Sequence, residues 1–212
     1  MLVDTGPDLR EQALRHRIKR VDHVLYTHDH VDHIVGFDEL RAFCWRREDP
    51  LPLHGSPHTL ASLARMFPWA FGNTSKNYVR ADQQPFSDFQ TLTLGDLTIL
   101  PFPVQHGPSP THGFKFTFPS GKTLAYTPDV KVIPPASRAH LQNLDHLIID
   151  ALRPVPHTTH MSTGEALQAI AELQPSQAYL THLTHDLDFV DTSATLPPNT
   201  QVAIDGLTIT YL

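Results

Sequence analysis

The stretch Thr27-His28-Asp29-His30-Val31-Asp32-His33 packs metal-binding side chains together more densely than any other part of the chain. It follows an apolar-rich segment, residues 21–26, that reads as a strand, so the ligands arrive at a strand end. Alternation along the strand lets His28 and His30 point the same way, towards one metal. Asp32 and His33 lie one turn further on and can face a second. Two cations about 3.5–4 Å apart need doubled ligands and a shared bridging carboxylate or hydroxide, and this loop starts such a set. Imidazoles and carboxylates with almost no thiols suit a borderline divalent metal, Zn²⁺ or Mn²⁺. Fifteen histidines stand against five tyrosines and eleven phenylalanines. Further histidines and carboxylates lie outside the loop, among them His106, Asp129, His160 and His185. Taken alone, His106 is open between a ligand and a structural histidine, and Asp129 reads as a plain loop carboxylate. His160 sits just before a helix start marked by the Ser162/Glu165 capping box, at a positive helix end. That is either a working position or a surface one beside His157. His185 is open between substrate contact and structural hydrogen bonding. No site role falls to His16, His23, His54, His58, His112, His140, His146 or His157.

The elements around these residues follow from pattern and punctuation. Residues 8–17 read as a helix capped by Asp8, residues 38–47 as a second, and Ser56-Pro57 starts a third that runs to about Phe67. Residues 91–94, 97–104, 115–118 and 123–126 read as strands, turned at Gly95-Asp96 and Ser120-Gly121. Residues 147–149 and 178–180 are buried strands flanking a helix over Thr163–Leu173, and residues 208–211 close the chain as a strand. The class is α/β or α+β with two sheets, in one domain over residues 1–212. The 212 residues are 40% hydrophobic, enough for a substantial core, and the net charge of −6 lacks the broad basic field that extended nucleic acid or an anionic membrane requires. The lone Cys44 excludes an internal disulfide framework and a Cys-rich zinc site. No apolar run reaches membrane-spanning length, and Met1-Leu2-Val3-Asp4 has no apolar stretch behind it. A cytoplasmic protein is expected.

His-x-His-x-Asp-His after a strand resembles the signature of the metallo-β-lactamase superfamily. Leu2-Val3-Asp4-Thr5-Gly6 resembles its preceding strand and turn, and Val104-Gln105-His106-Gly107 its third metal motif. Tyr126-Thr127-Pro128-Asp129 matches the metal-bridging aspartate, and Thr181-His182-Leu183-Thr184-His185-Asp186 is similar to the last histidine motif. Five motifs in the family's order cover nearly the whole chain. Leu9-Arg10, Gly36-Phe37-Asp38-Glu39-Leu40-Arg41, Gly55-Ser56-Pro57, His160-Met161-Ser162-Thr163-Gly164-Glu165-Ala166 and Asp205-Gly206-Leu207 resemble one subgroup in particular. It is that of the phosphodiesterases similar to the cyclic ribose-phosphate phosphodiesterase of the carbon–phosphorus lyase pathway.

The resemblance implies an αββα sandwich with two divalent metal ions per chain. His28, His30 and His106 would bind one, and Asp32, His33 and His182 the other, with Asp129 bridging. Asp4 would orient a ligand histidine from behind. Asp32 and His160 count as catalytic, and His160 resembles the histidine that contacts the scissile phosphate and protonates the leaving oxygen; His185 would join it in binding substrate. Members usually begin with a β-hairpin and a Gly-rich loop before the Asp-Thr-Gly strand. Here the sequence starts at that strand, through a truncated start or because something else covers the edge of the first sheet, and the expectation is either a homodimer through that edge or poor solubility. The implied activity is hydrolysis of a small or cyclic nucleotide-like phosphodiester by a metal-bound hydroxide. The rivals are a lactone, thioester or ester hydrolase on the same centre, a tRNA 3′-processing type of nuclease, and a non-catalytic metal-binding protein.

Overall fold

The computed structural model describes residues 1–45, 47–72 and 79–211. The chain resolves into two compact units, Met1–Ser87 and Asp88–Leu212. Each has one sheet and its own apolar core.

The first unit contains β1 (Leu2–Val3), α1 (Leu9–Arg15), β2 (Val24–Leu25), α2 (Val31–Ile34), α3 (Arg41–Cys44), β3 (Leu51–Gly55), α4 (Pro57–Met66) and β4 (Ala81–Pro85). Its strands are parallel, in the order β1-β2-β3-β4, with β1 at an edge. Parallel pairing carries Asp4, just past β1, and Thr27, just past β2, to the same end of the sheet. α4 starts as its sequence dictates: the Ser56 hydroxyl accepts the Thr59 N–H at 3.2 Å, and Pro57 occupies the first helical position. Its Leu60 and Leu63 are buried in one cluster with Leu51 and Leu53 of β3. Each such leucine contributes about 1.5–3 kcal/mol through burial.

Two expectations change here. Asp8 heads α1 but makes no capping bond through its side chain. The helix read over residues 38–47 is a 3₁₀ segment, Val35–Leu40, followed by the single turn of α3, and Arg46 lies outside the described residues. The cause is a close backbone contact at its start. Gly36 N–H donates to the Thr5 carbonyl at 2.9 Å, and a Cβ on Gly36 would lie 2.1 Å from the Gly6 carbonyl oxygen. Only glycine permits that approach.

The second unit contains β5 (Leu92–Leu94), β6 (Leu97–His106), β7 (Ser109–Thr117), β8 (Thr123–Thr127), α5 (Pro135–Arg138), β9 (His146–Asp150), α6 (Thr163–Leu173), β10 (Gln177–Thr181), α7 (Phe189–Thr195) and β11 (Thr200–Val202). The sheet order is β11-β10-β9-β8-β7-β6-β5; β5 to β8 form an antiparallel meander and β8 to β11 run parallel. β6 therefore runs in the same direction as β8, β9 and β10, and their C-terminal ends share one edge of the sheet. In open sheets with parallel strands that edge is where ligands bind. The expected strand at 208–211 does not form. Tyr211 instead stacks on Phe118, with ring centres 4.0 Å apart, and meets the His146 ring edgewise at 5.2 Å. Among the described residues no helix is long and apolar enough to cross a membrane.

Candidate metal centre

In the first unit the ligand loop is held from behind by one carboxylate. Asp4, 8% exposed, lies in the left-handed backbone region at φ 57°, which aspartate tolerates. Its Oδ1 accepts the Thr27 N–H at 2.8 Å; its Oδ2 accepts the Thr27 hydroxyl and the His33 Nδ1–H, each at 2.8 Å. The single hydroxyl proton of Thr27 is thereby spent on Asp4. Thr27 Oγ1 must then accept from His28 Nδ1, 2.9 Å away. Both His28 and His33 carry their proton on Nδ1, which makes Nε2 the unprotonated nitrogen, the form a metal needs. The rings of His30 and His33 lie 4.5 and 4.2 Å from that of His28, and Asp32 Oδ2 is 3.6 Å from His33 Nε2. The loop is also gripped from α4. Ser62 Oγ donates to Asp29 at 2.6 Å, His58 Nε2 lies 3.1 Å from the same carboxylate oxygen, and Arg65 donates to Ser62 at 2.6 Å.

In the second unit the shared sheet edge gathers His106, Asp129, Asp150, His160 and His182. Asp129 is 1% exposed. Its Oδ2 lies 3.5 Å from His106 Nε2 and 3.9 Å from His160 Nε2, and its Oδ1 lies 3.5 Å from His182 Nε2. His160 stacks on His182 at 4.9 Å and meets the His106 ring edgewise at 4.5 Å. His106 donates Nδ1–H to the Thr159 carbonyl at 2.9 Å, so its Nε2 too is the unprotonated nitrogen. His160 gives its Nδ1 proton to Asp150 Oδ2 at 2.8 Å, which also accepts the Val130 N–H at 2.9 Å. Burial pushes the Asp150 carboxyl above its usual range, and those two hydrogen bonds oppose the rise. His182 adopts φ 59°, a backbone conformation that costs on the order of 1–3 kcal/mol and tends to collect at working sites. Beside His160, the His157 ring stands 5.2 Å away, and burial, His160 and Arg153 lower its pKa below the ordinary histidine value.

These donor sets fit divalent cations. Imidazoles and carboxylates are grouped in each unit, with the tautomers of His28, His33 and His106 fixed by hydrogen bonds, and Asp129, His160 and His182 each offer an atom within 4.8 Å of the others. Of the residues picked from sequence, His28, His30, Asp32 and His33 cluster in the first unit with Asp4, and His106, Asp129, His160 and His182 in the second. His185 joins neither group: its side chain is 96% exposed, 3.7 Å from Asp186. Sequence reading missed Asp150, Thr27 as the relay from Asp4, and the Asp29 contacts with α4. Asp150 had a signal, a carboxylate ending the apolar run Leu147-Ile148-Ile149; the other two had none.

Two sheets in a mixed α/β chain, with histidine–aspartate clusters at strand ends, define a metallo-β-lactamase type of hydrolase domain. Residues 1–183 match the family described as the beta-lactamase superfamily domain, and the chain belongs to that superfamily. A solved diphosphatase from the PhnP family aligns with all of this chain and 80% of its own, at 33% identity and a TM-score of 0.90. An octanoyltransferase from Porphyromonas gingivalis is 30% identical over 213 residues, covering 98% of this chain and 41% of its own length. A ribonuclease Z from Bradyrhizobium diazoefficiens is 31% identical over 128 residues, 58% of this chain and 42% of its own. The chain thus spans about two fifths of the length of these curated relatives.

Proposed function

We propose that the protein is a metal-dependent phosphodiesterase that cleaves a small or cyclic nucleotide-like phosphodiester, both units forming one catalytic domain. The observation that carries this reading is the seating of His160, with Nδ1 bound to the buried Asp150 at 2.8 Å and Nε2 3.9 Å from Asp129. Kinship with a diphosphatase supports phosphoryl chemistry over acyl chemistry. Following the family pattern, His28, His30 and His106 would hold one divalent cation, Zn²⁺ or Mn²⁺, and Asp32, His33 and His182 the other, with Asp129 as the carboxylate shared by both sets.

When bound, such a pair of cations supplies positive charge against the phosphoryl oxygens and brings the pKa of water towards neutrality. The chain's own residues do the rest. Asp4 holds the ring protons of His28 and His33 on Nδ1, so that Nε2 of each would be the coordinating atom. His160 carries a proton at Nε2 to the departing alkoxide, and Asp150 balances the imidazolium charge before the transfer. His185, exposed beyond β10, is left for contact with the outer part of a substrate. With a net charge of −6, the chain suits a small substrate better than extended nucleic acid. β1 stands at the edge of its sheet, and two copies would pair there.

The test is turnover by protein loaded separately with each metal, screened against phosphodiesters, cyclic nucleotides, lactones and thioesters. Hydrolysis of phosphodiesters is expected. Turnover of lactones or thioesters alone would make the acyl reading correct, and metal binding without turnover would make this a metal-binding protein.

A further inference from the structure

His157, which had no role on sequence grounds, is fixed in one tautomer by its own turn. Its Nδ1 accepts the backbone N–H of Thr159 at 3.3 Å and faces the Thr159 hydroxyl at 3.2 Å. An imidazole nitrogen that accepts from a backbone N–H carries no proton, so the ring proton is on Nε2. The ring is half-buried and tilted 50° against that of His160, with centres 5.2 Å apart. A fixed N–H donor therefore stands next to the histidine that faces Asp129.

The same loop supplies a cation. Arg153 is wound into it, donating through Nε to the Val155 carbonyl at 3.3 Å and through Nη2 to the Pro156 carbonyl at 3.0 Å. No carboxylate among the described residues pairs with it, whereas the nearby Lys131 is taken by Glu165 at 2.5 Å. In a chain of net charge −6, a held and uncompensated guanidinium beside two histidines is a local attraction for an anion.

We infer that His157 is a substrate-binding residue, donating from Nε2 to a phosphoryl oxygen of the group that His160 protonates, with Arg153 supplying charge behind it. The identity of that anion rests on the phosphodiesterase reading.

The experiment uses inorganic phosphate as probe, with its affinity measured by titration calorimetry on the metal-loaded protein, alongside metal content and the KM and kcat for bis(p-nitrophenyl) phosphate. His157→Asn keeps an acceptor where Nδ1 was and removes the Nε2 donor. His157→Gln does the reverse. A hydrogen bond to a charged group is worth about tenfold or more in affinity. His157→Asn should therefore weaken phosphate binding about tenfold or more, raise KM more than it lowers kcat, and keep its metals. His157→Gln should bind phosphate more tightly than His157→Asn, and Arg153→Gln should weaken it as well. Wild-type affinity in His157→Asn would overturn the inference. Loss of metal in that variant would also overturn it, since His157 would then act by holding Thr159 against His106. A wild-type protein that binds phosphate but hydrolyses no phosphodiester would count against the phosphodiesterase reading instead.

Discussion

Replacing Asp4 with asparagine should flip the ring protons of His28 and His33, two candidate metal ligands, without strain in the chain. Asparagine accepts φ 57° as readily as aspartate does, so the backbone contributes no penalty. Its Oδ1 can still take the Thr27 N–H held at 2.8 Å. Its NH₂ group, however, replaces the oxygen that accepts from both the Thr27 hydroxyl and His33 Nδ1. A donor would face two donors, and the relief is for both partners to turn round. His33 Nδ1 would become an acceptor with its proton moved to Nε2. The Thr27 hydroxyl would accept from the introduced amide and donate to His28 Nδ1, 2.9 Å away, which moves that proton to Nε2 as well. Each misdirected ligand costs about 10–100-fold in metal affinity, so the pair should cost about 10²–10⁴-fold. The assay is competition with a chromogenic chelator on purified Asp4→Asn, with thermal unfolding of the metal-free protein as the control for folding. Asp4→Ala should bind metal as poorly and also unfold more easily, through about 1–2 kcal/mol of left-handed strain and three donors left without an acceptor. Wild-type metal affinity in Asp4→Asn would refute the relay.

Four further outcomes are expected. His160→Ala should slow hydrolysis of an alkyl or nucleoside phosphodiester by about 10²–10⁴-fold while sparing bis(p-nitrophenyl) phosphate, whose leaving group departs without a proton. Equal losses on both substrates, or loss of metal, would make His160 a binding residue or a ligand. Elemental analysis of Asp129→Ala should find reduced metal at both positions, and two full equivalents would remove it from the bridging role. Asp145, held by Lys122 and the Thr123 N–H, and Glu165, held by Lys131 and Ser162, have pKa values depressed to about 2 from ordinary values of 3.8 and 4.5. Their contribution to stability is full above the ordinary values and is lost as pH falls towards 2, so the urea midpoint should drop over that window. The double variant Asp145→Asn/Glu165→Gln should show a shallower drop, and an unchanged slope would contradict the assignment. Light scattering should detect a dimer, and a stable monomer at high concentration would rule out pairing through the β1 edge.

Several features were legible because they are local. The helix at Thr163–Leu173 announces itself through Ser162 and Glu165, and both reciprocal capping bonds are present. The hairpin turns fall at Gly95 and Gly121, which take φ 61° and 81°. The segment at 208–211 reads as a strand and is not one, because alternation alone cannot tell a paired strand from a segment held by side-chain stacking, as Tyr211 is on Phe118. The 3₁₀ path after α2 was hidden for a related reason: it depends on Gly36 meeting the Thr5-Gly6 backbone, a contact made across about thirty positions of sequence.

Ligand chemistry, then, was set by the amino-acid sequence itself. Four donors crowd behind one strand, and the later motifs supply histidine and aspartate in a recognisable order, because a metal selects residue types and short spacings that survive as text. Protonation and support belonged to the tertiary structure. Which ring nitrogen of His28, His33 or His106 carries the proton depends on Asp4, Thr27 and the Thr159 carbonyl, and His160 depends on Asp150. Those partners are distant or unremarkable in sequence and are brought within 3 Å only when parallel strands bring their ends to one edge. A hydrogen bond is a statement about distance and direction, and neither is written into the order of residues until the sheet has formed.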